Sequence, residues 1–124
     1  MNILDCTLRD GGYYNNWEFS KSLVKKYLNA CKEANIDYVE MGLRMPSSNK
    51  FLGPHAYTTE GYLKDLSPPN NLSLGVMINT KDFSKEEIKL SDYFLPQEKS
   101  VVSLVRVASH FAEIKKSIQL CKEL

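Results

Sequence analysis

The chain has 124 residues, 43% of them hydrophobic and 25% charged, the balance of a folded globular protein and not of a disordered one. Lysine and arginine nearly equal aspartate and glutamate, leaving a net charge of +1. The signs are interspersed, so no nucleic-acid partner is expected. No basic-then-apolar leader and no stretch approaching a membrane span is visible, so no membrane partner and a cytoplasmic location are expected. Cys6, Cys31 and Cys121 are widely spaced and odd in number, and they read as buried free thiols.

Strands and helices alternate along the chain, which predicts an α/β protein with a parallel sheet. The first strand is expected over about Asn2–Arg9, with Leu4, Cys6 and Leu8 on one side and Asp5, Thr7 and Arg9 on the other. Asp10 follows where that strand stops, and Gly11-Gly12 allow a sharp turn beside it. Ser20 is a candidate N-cap for a helix with Leu23, Val24, Tyr27, Leu28, Cys31 and Ala34 on one face, closed by Asn35 in a left-handed conformation. A second strand over about Tyr38–Leu43 sets Val39, Met41 and Leu43 against Tyr38, Glu40, Gly42 and Arg44. Met45–Thr59 has no period and reads as a long loop, followed by a short helix near Glu60–Leu66 that ends before Pro68-Pro69. A third strand over about Leu72–Ile78 precedes a capping-box signal, Ser84 with Glu87, for a third helix. A fourth strand over about Val101–Ala108 leads to a helix with Phe111, Ile114, Ile118 and Cys121 at helical spacing.

If Arg9 points inward, alternation gathers Asp5, Arg9, Glu40, Arg44 and Arg106 on one surface. Charges sheltered in this way must be paired or used. Asp5 and Arg106 read as structural partners, whereas Arg9 and Asp10, at the carboxyl end of the first strand, read as functional. A carboxylate and a guanidinium at a strand exit suit a divalent metal and an enolate oxygen. His55, in the long loop, reads as a surface residue without a role, and Trp17, Phe51, Tyr57 and Tyr62 as packing residues.

The segment Asp5-Cys6-Thr7-Leu8-Arg9-Asp10-Gly11 resembles the signature of the metal-dependent lyases and aldolases that include HMG-CoA lyase and 4-hydroxy-2-oxovalerate aldolase. A second segment, Val105-Arg106-Val107-Ala108-Ser109-His110-Phe111-Ala112-Glu113, is similar to the fourth-strand region of the hydroxy-oxovalerate branch. The resemblance implies a (β/α)8 barrel lyase that cleaves or forms a carbon–carbon bond in a small-molecule 2-oxo acid or acyl substrate. It implies Asp10 as a ligand of Mn²⁺ or Mg²⁺, and Arg9 as the group that stabilises the enolate. Glu40 matches the family's acidic residue on the second strand, and His110 matches a position at the end of the fourth. The family's His-x-His metal ligands are absent, and Tyr13 or Tyr14 stands where its catalytic histidine would be.

A complete barrel takes ~250 residues, so residues 1–124 are expected to form its N-terminal half, about four β-α units. A smaller doubly wound domain is the alternative. Half a barrel exposes strand edges, so self-association or a missing C-terminal half is expected. The functional alternative is a non-catalytic half-barrel that acts in assembly.

Overall fold

A computed structural model of the protein describes residues 1–85 and 87–124. Four strands, β1 (Leu4–Asp5), β2 (Tyr38–Leu43), β3 (Ser73–Asn79) and β4 (Val102–Ala108), form one sheet in the order 1-2-3-4. Every pairing is parallel, giving the expected half-barrel-like α/β fold. Among the described residues four α-helices accompany them: α1 (Thr7–Asn15), α2 (Lys21–Glu33), α3 (Glu60–Asp65) and α4 (Ile114–Glu123).

Local signals explain several boundaries. The Ser20 hydroxyl accepts the Leu23 N–H at the start of α2, satisfying a donor that helix geometry leaves unpaired. Asn35, at φ 56°, takes the left-handed turn just beyond it. The Thr59 hydroxyl accepts the Tyr62 N–H and caps α3. Val24, Leu28 and Cys31 of α2 and Leu63 of α3 pack on Val39, Met41, Leu74 and Val76 to make the main core. Each such side chain contributes roughly 1.5–3 kcal/mol through burial. Ile78, Phe83, Leu90 and Leu120 form a second cluster beneath α4.

Several expectations are corrected. The first strand is two residues long, because the Asp5 carboxylate takes the Thr7 N–H (2.8 Å) and the Tyr27 hydroxyl, and α1 starts at Thr7. Asp5, Thr7 and Arg9 therefore do not share a strand face. Strand β2 carries a bulge between Glu40 and Leu43, where three steps oppose two on β3 (Gly75 to Met77). Alternation resets there, so Leu43 rejoins the face of Glu40 while Arg44 turns to the helix side and meets Thr58, Glu60 and Tyr93. Gly42 makes the bulge possible: its φ is +152°, and a Cβ would lie 1.9 Å from the His55 carbonyl oxygen.

The third correction concerns the link from β3 to β4, where the described residues form 3₁₀ turns at Thr80–Phe83, Leu90–Asp92 and Gln97–Lys99 and no α-helix. The Ser84 hydroxyl donates back to the Thr80 carbonyl (2.7 Å), and the expected Ser84–Glu87 box spans Glu86, which lies outside the described residues. The fourth concerns α4, which buries Ser117 and Leu120 and leaves Phe111, Ile114, Ile118 and Cys121 facing solvent. Of the three free thiols only Cys31 is buried. Among the described residues, no helix is long and apolar enough to cross a membrane.

Candidate functional site

Glu40 lies at the centre of the site. Strand β2 carries it on the face opposite the core, and its side chain is fully buried. Arg106 of β4 approaches side-on, with Nε 2.6 Å from Oε1 and Nη2 2.7 Å from Oε2. Arg9 of α1 donates from Nε to Oε2 at 2.8 Å, and its Nη1 pairs with Asp10. Two guanidinium groups thus converge on one carboxylate, Arg106 in the bidentate manner that fixes its plane and Arg9 through a single bond while its other arm holds Asp10.

The charges explain one another. Burial alone would raise the Glu40 carboxyl, but hydrogen bonds from Arg106 and Arg9 outweigh it and hold the group below its usual range. Burial likewise works against the Arg9 charge, and Glu40 more than restores it. Cys6, in the turn between β1 and α1, sits 3.9 Å from Arg106 Nη2. Burial and the Glu40 charge push its thiol up, so it stays protonated.

Arg9 is mostly sheltered, at 16% side-chain exposure, while Arg106 keeps 41% and Asp10 61%. The site therefore has a buried ionic base and an open rim. Arg106, read from the sequence as a structural partner, shares the carboxylate with Arg9 and reaches solvent. The available signal was its place on the same face of β4 as Leu104 and Ala108.

The remaining candidates lie around this cluster. Tyr13, one helical turn beyond Arg9, is exposed and packs edge-on against Trp17, ring centres 4.7 Å apart. His110 follows β4, is exposed, and its N–H faces a Glu113 carboxylate oxygen at 3.4 Å. It borders a cavity of about 360 Å³ with Asn79, Lys81, Asp82 and Ser109, at the carboxyl ends of β3 and β4. Among the described residues, no hydrogen bond joins His110 to Glu40 or Arg9.

Arg44 and Asp5 are not in the site. Arg44 is buried on the helix side, stacked 4.8 Å from the Phe94 ring, beside a separate cavity of about 560 Å³. His55 is fully buried, contrary to its reading as a surface residue. Its Nδ1 bonds the Met41 carbonyl, its Nε2 bonds the Tyr62 hydroxyl (2.9 Å), and Phe19 closes its ring from the side. Phe51, expected to pack, is exposed.

As a metal anchor, Asp10 has the right donor type. Its Oδ1 is engaged by Arg9, and Mg²⁺-like ions often bind through one or two carboxylates while keeping several waters. Among the described residues, no three His, Cys, Asp or Glu side chains come together as a metal-binding group. Any ion held here would rest on Asp10, with water and substrate oxygens filling its other positions.

No protein-family model matches the chain, and no curated protein matches it. Among solved structures, it is similar to the crystal structure of the N-terminal domain of a putative aldolase from Bacteroides vulgatus. The two share 37% identity with a TM-score of 0.88, over 99% of this chain. The chain spans 40% of the length of that one.

Proposed function

We propose that this chain is the N-terminal part of an aldolase-like lyase, cleaving or forming a carbon–carbon bond in a 2-oxo or acyl substrate through an enolate. The observation that carries the reading is the pair of guanidinium groups, Arg9 and Arg106, fixed on buried Glu40 below an open rim. The likeness to a putative aldolase's N-terminal domain supports it.

In the best-matched chemistry the substrate is a 4-hydroxy-2-oxo acid. A base removes the hydroxyl proton, the bond between carbons 3 and 4 breaks, and its electron pair passes into the 2-oxo group as an enolate. Carbon 4 leaves as an aldehyde, and protonation of the enolate at carbon 3 gives pyruvate. Arg9 supplies a cation that does not titrate away beside the developing oxyanion, and Arg106 offers its exposed side to the carboxylate. Both are held in place beforehand by Glu40, so little reorganisation accompanies the charge shift. Tyr13 and His110 are the groups we assign to proton transfer. A divalent ion on Asp10, Mn²⁺ or Mg²⁺, would polarise the 2-oxo group as a Lewis acid.

The test is pyruvate release from a 4-hydroxy-2-oxo acid by the full-length protein. Arg9→Lys keeps the charge and loses the fork, and it should lower kcat/KM about a hundred- to thousandfold with the fold intact. Equal activity in Arg9→Lys and the parent would end the assignment.

A second reading is favoured by Phe111, in the 3₁₀ turn before α4, and Ile114 and Ile118 on α4, all exposed. They suit a half-barrel that meets a second copy or a C-terminal half. Sedimentation of the 124-residue chain as a folded monomer would count against it.

A further inference from the structure

Helix α1 carries Arg9 and Asp10, yet little in its own sequence holds it together. It spans nine residues, has no side-chain N-cap bond and contains two glycines. Each interior glycine costs about 1 kcal/mol relative to alanine, and so short a helix is marginal alone. Something outside the helix must hold it.

The structure places Trp17 there. Asn16 and Trp17 both adopt left-handed backbone at φ 57°, folding the chain back beneath α1, and the Trp17 N–H bonds the Gly12 carbonyl at 3.0 Å. The indole then runs under the helix, and its Nε1–H donates to the carbonyl of Arg9 itself at 3.2 Å. The fit needs a glycine, because a Cβ on Gly12 would lie 1.9 Å from Trp17 Cδ1. Below, the ring packs with Leu43, Ala56 and Met77. Its own backbone is tied from the loop that precedes α3: Gly53 N–H donates to the Asn16 carbonyl (2.7 Å) and His55 N–H to the Trp17 carbonyl (3.3 Å).

We propose that Trp17 is a positioning residue for Arg9. Arg9 is held at two points, its guanidinium by Glu40 and its carbonyl by the Trp17 indole, so the two contacts together set where the cation lies. A buried indole N–H seeks a partner, and here that partner is the backbone of the residue proposed to stabilise the enolate. The consequence for turnover rests on the function proposed above; the placement of Arg9 does not.

The experiment uses two replacements that remove the N–H. One is Trp17→Phe; the other puts the benzothiophene isostere of tryptophan at position 17, which keeps ring size and packing. The Arg9 and Arg106 Nε–H signals are followed by ¹H–¹⁵N spectroscopy, because both groups bond the same carboxylate. The expected result is an Arg9 signal that shifts and loses protection at least tenfold, with Arg106 unchanged and the melting temperature of the isostere near the parent's. An unshifted Arg9 signal in the isostere would overturn the proposal, as would an equal loss at Arg9 and Arg106. Oxalate, a planar dianion shaped like enolpyruvate, is titrated in parallel and should bind the isostere about five- to tenfold more weakly. If the parent itself binds no oxalate, the proposed function fails while the spectroscopic comparison still decides the role of Trp17.

Discussion

Replacing Glu40 by glutamine removes the charge on which two cations converge and preserves the shape of the side chain. The carboxylate is fully buried and accepts three donors at 2.6–2.8 Å. Glutamine keeps one acceptor oxygen and turns an amide NH₂ toward a guanidinium, so at least one strong bond is lost and another becomes a clash of donors. Breaking a buried pair in this way costs about 3–5 kcal/mol. Side-chain exposure of 16% for Arg9 and 41% for Arg106 lets water recover part of this, so about 3 kcal/mol is expected. Against a total stability of roughly 5–15 kcal/mol, that should lower Tm by about 10 °C. The pH dependence has a definite sign. The folded carboxyl is held below its usual value, so its contribution is complete above the unfolded value near 4.3 and is lost as pH falls through the lower folded one. Thermal melts of parent and Glu40→Gln from pH 7 to pH 3 should therefore show a constant gap down to about pH 4.5, narrowing below it. A gap under about 1 kcal/mol at pH 7, or one that persists undiminished at pH 3, would refute the reasoning.

Three further outcomes follow from the geometry. Gly42→Ala should destabilise the protein by about 3 kcal/mol, since the new methyl meets the His55 carbonyl and the backbone is at positive φ; an unchanged urea midpoint would contradict this. Burial pushes the His55 ring below its ordinary value despite the Met41 bond, so the unfolded chain takes the proton first and stability falls as pH drops below about 6.5. Urea unfolding should show lower stability at pH 5.5 than at pH 6.5 in the parent and a much smaller difference in His55→Phe; an equal difference in both would refute this. Asp10→Asn should weaken manganese binding at least about tenfold in calorimetric titration, because it removes the charge of the exposed carboxylate that Arg9 holds beside the site; equal affinity would end that role for Asp10.

The parts of this fold that could be read from the chain are those set by neighbours in sequence. Tyr38–Leu43 alternates and is a strand, Ser20 caps α2, and Asn35 takes the left-handed turn as its short polar side chain allows. The misread parts depend on distant partners. Thr7–Asn15 looks like the end of a strand followed by a glycine turn, and it becomes helix because Asp5 captures the Thr7 N–H and Trp17 supports Gly12. The bulge in β2 rests on Gly42, against which the His55 carbonyl packs from thirteen positions away, and simple alternation put Arg44 on the wrong face. His55 looked like a loop residue because nothing adjacent reveals that Phe19 and Tyr62 enclose it. In the site, Arg9, Asp10 and Glu40 were legible as charges that needed partners. The full weight of Arg106 became visible only when β4 was laid beside β3.

The bulge also divides the chain's ionic work into two insulated compartments. On one side of the sheet Glu40 balances Arg9 and Arg106; on the other Glu60 faces Arg44, and the two groups share no partner. Drawing the bulge out into regular strand with every residue kept would turn Arg44 through the sheet to the face of Glu40, whereas deleting the one extra residue would leave Arg44 opposite Glu60. A substitution in the helix-side pair therefore leaves the charge balance on the opposite side of the sheet untouched.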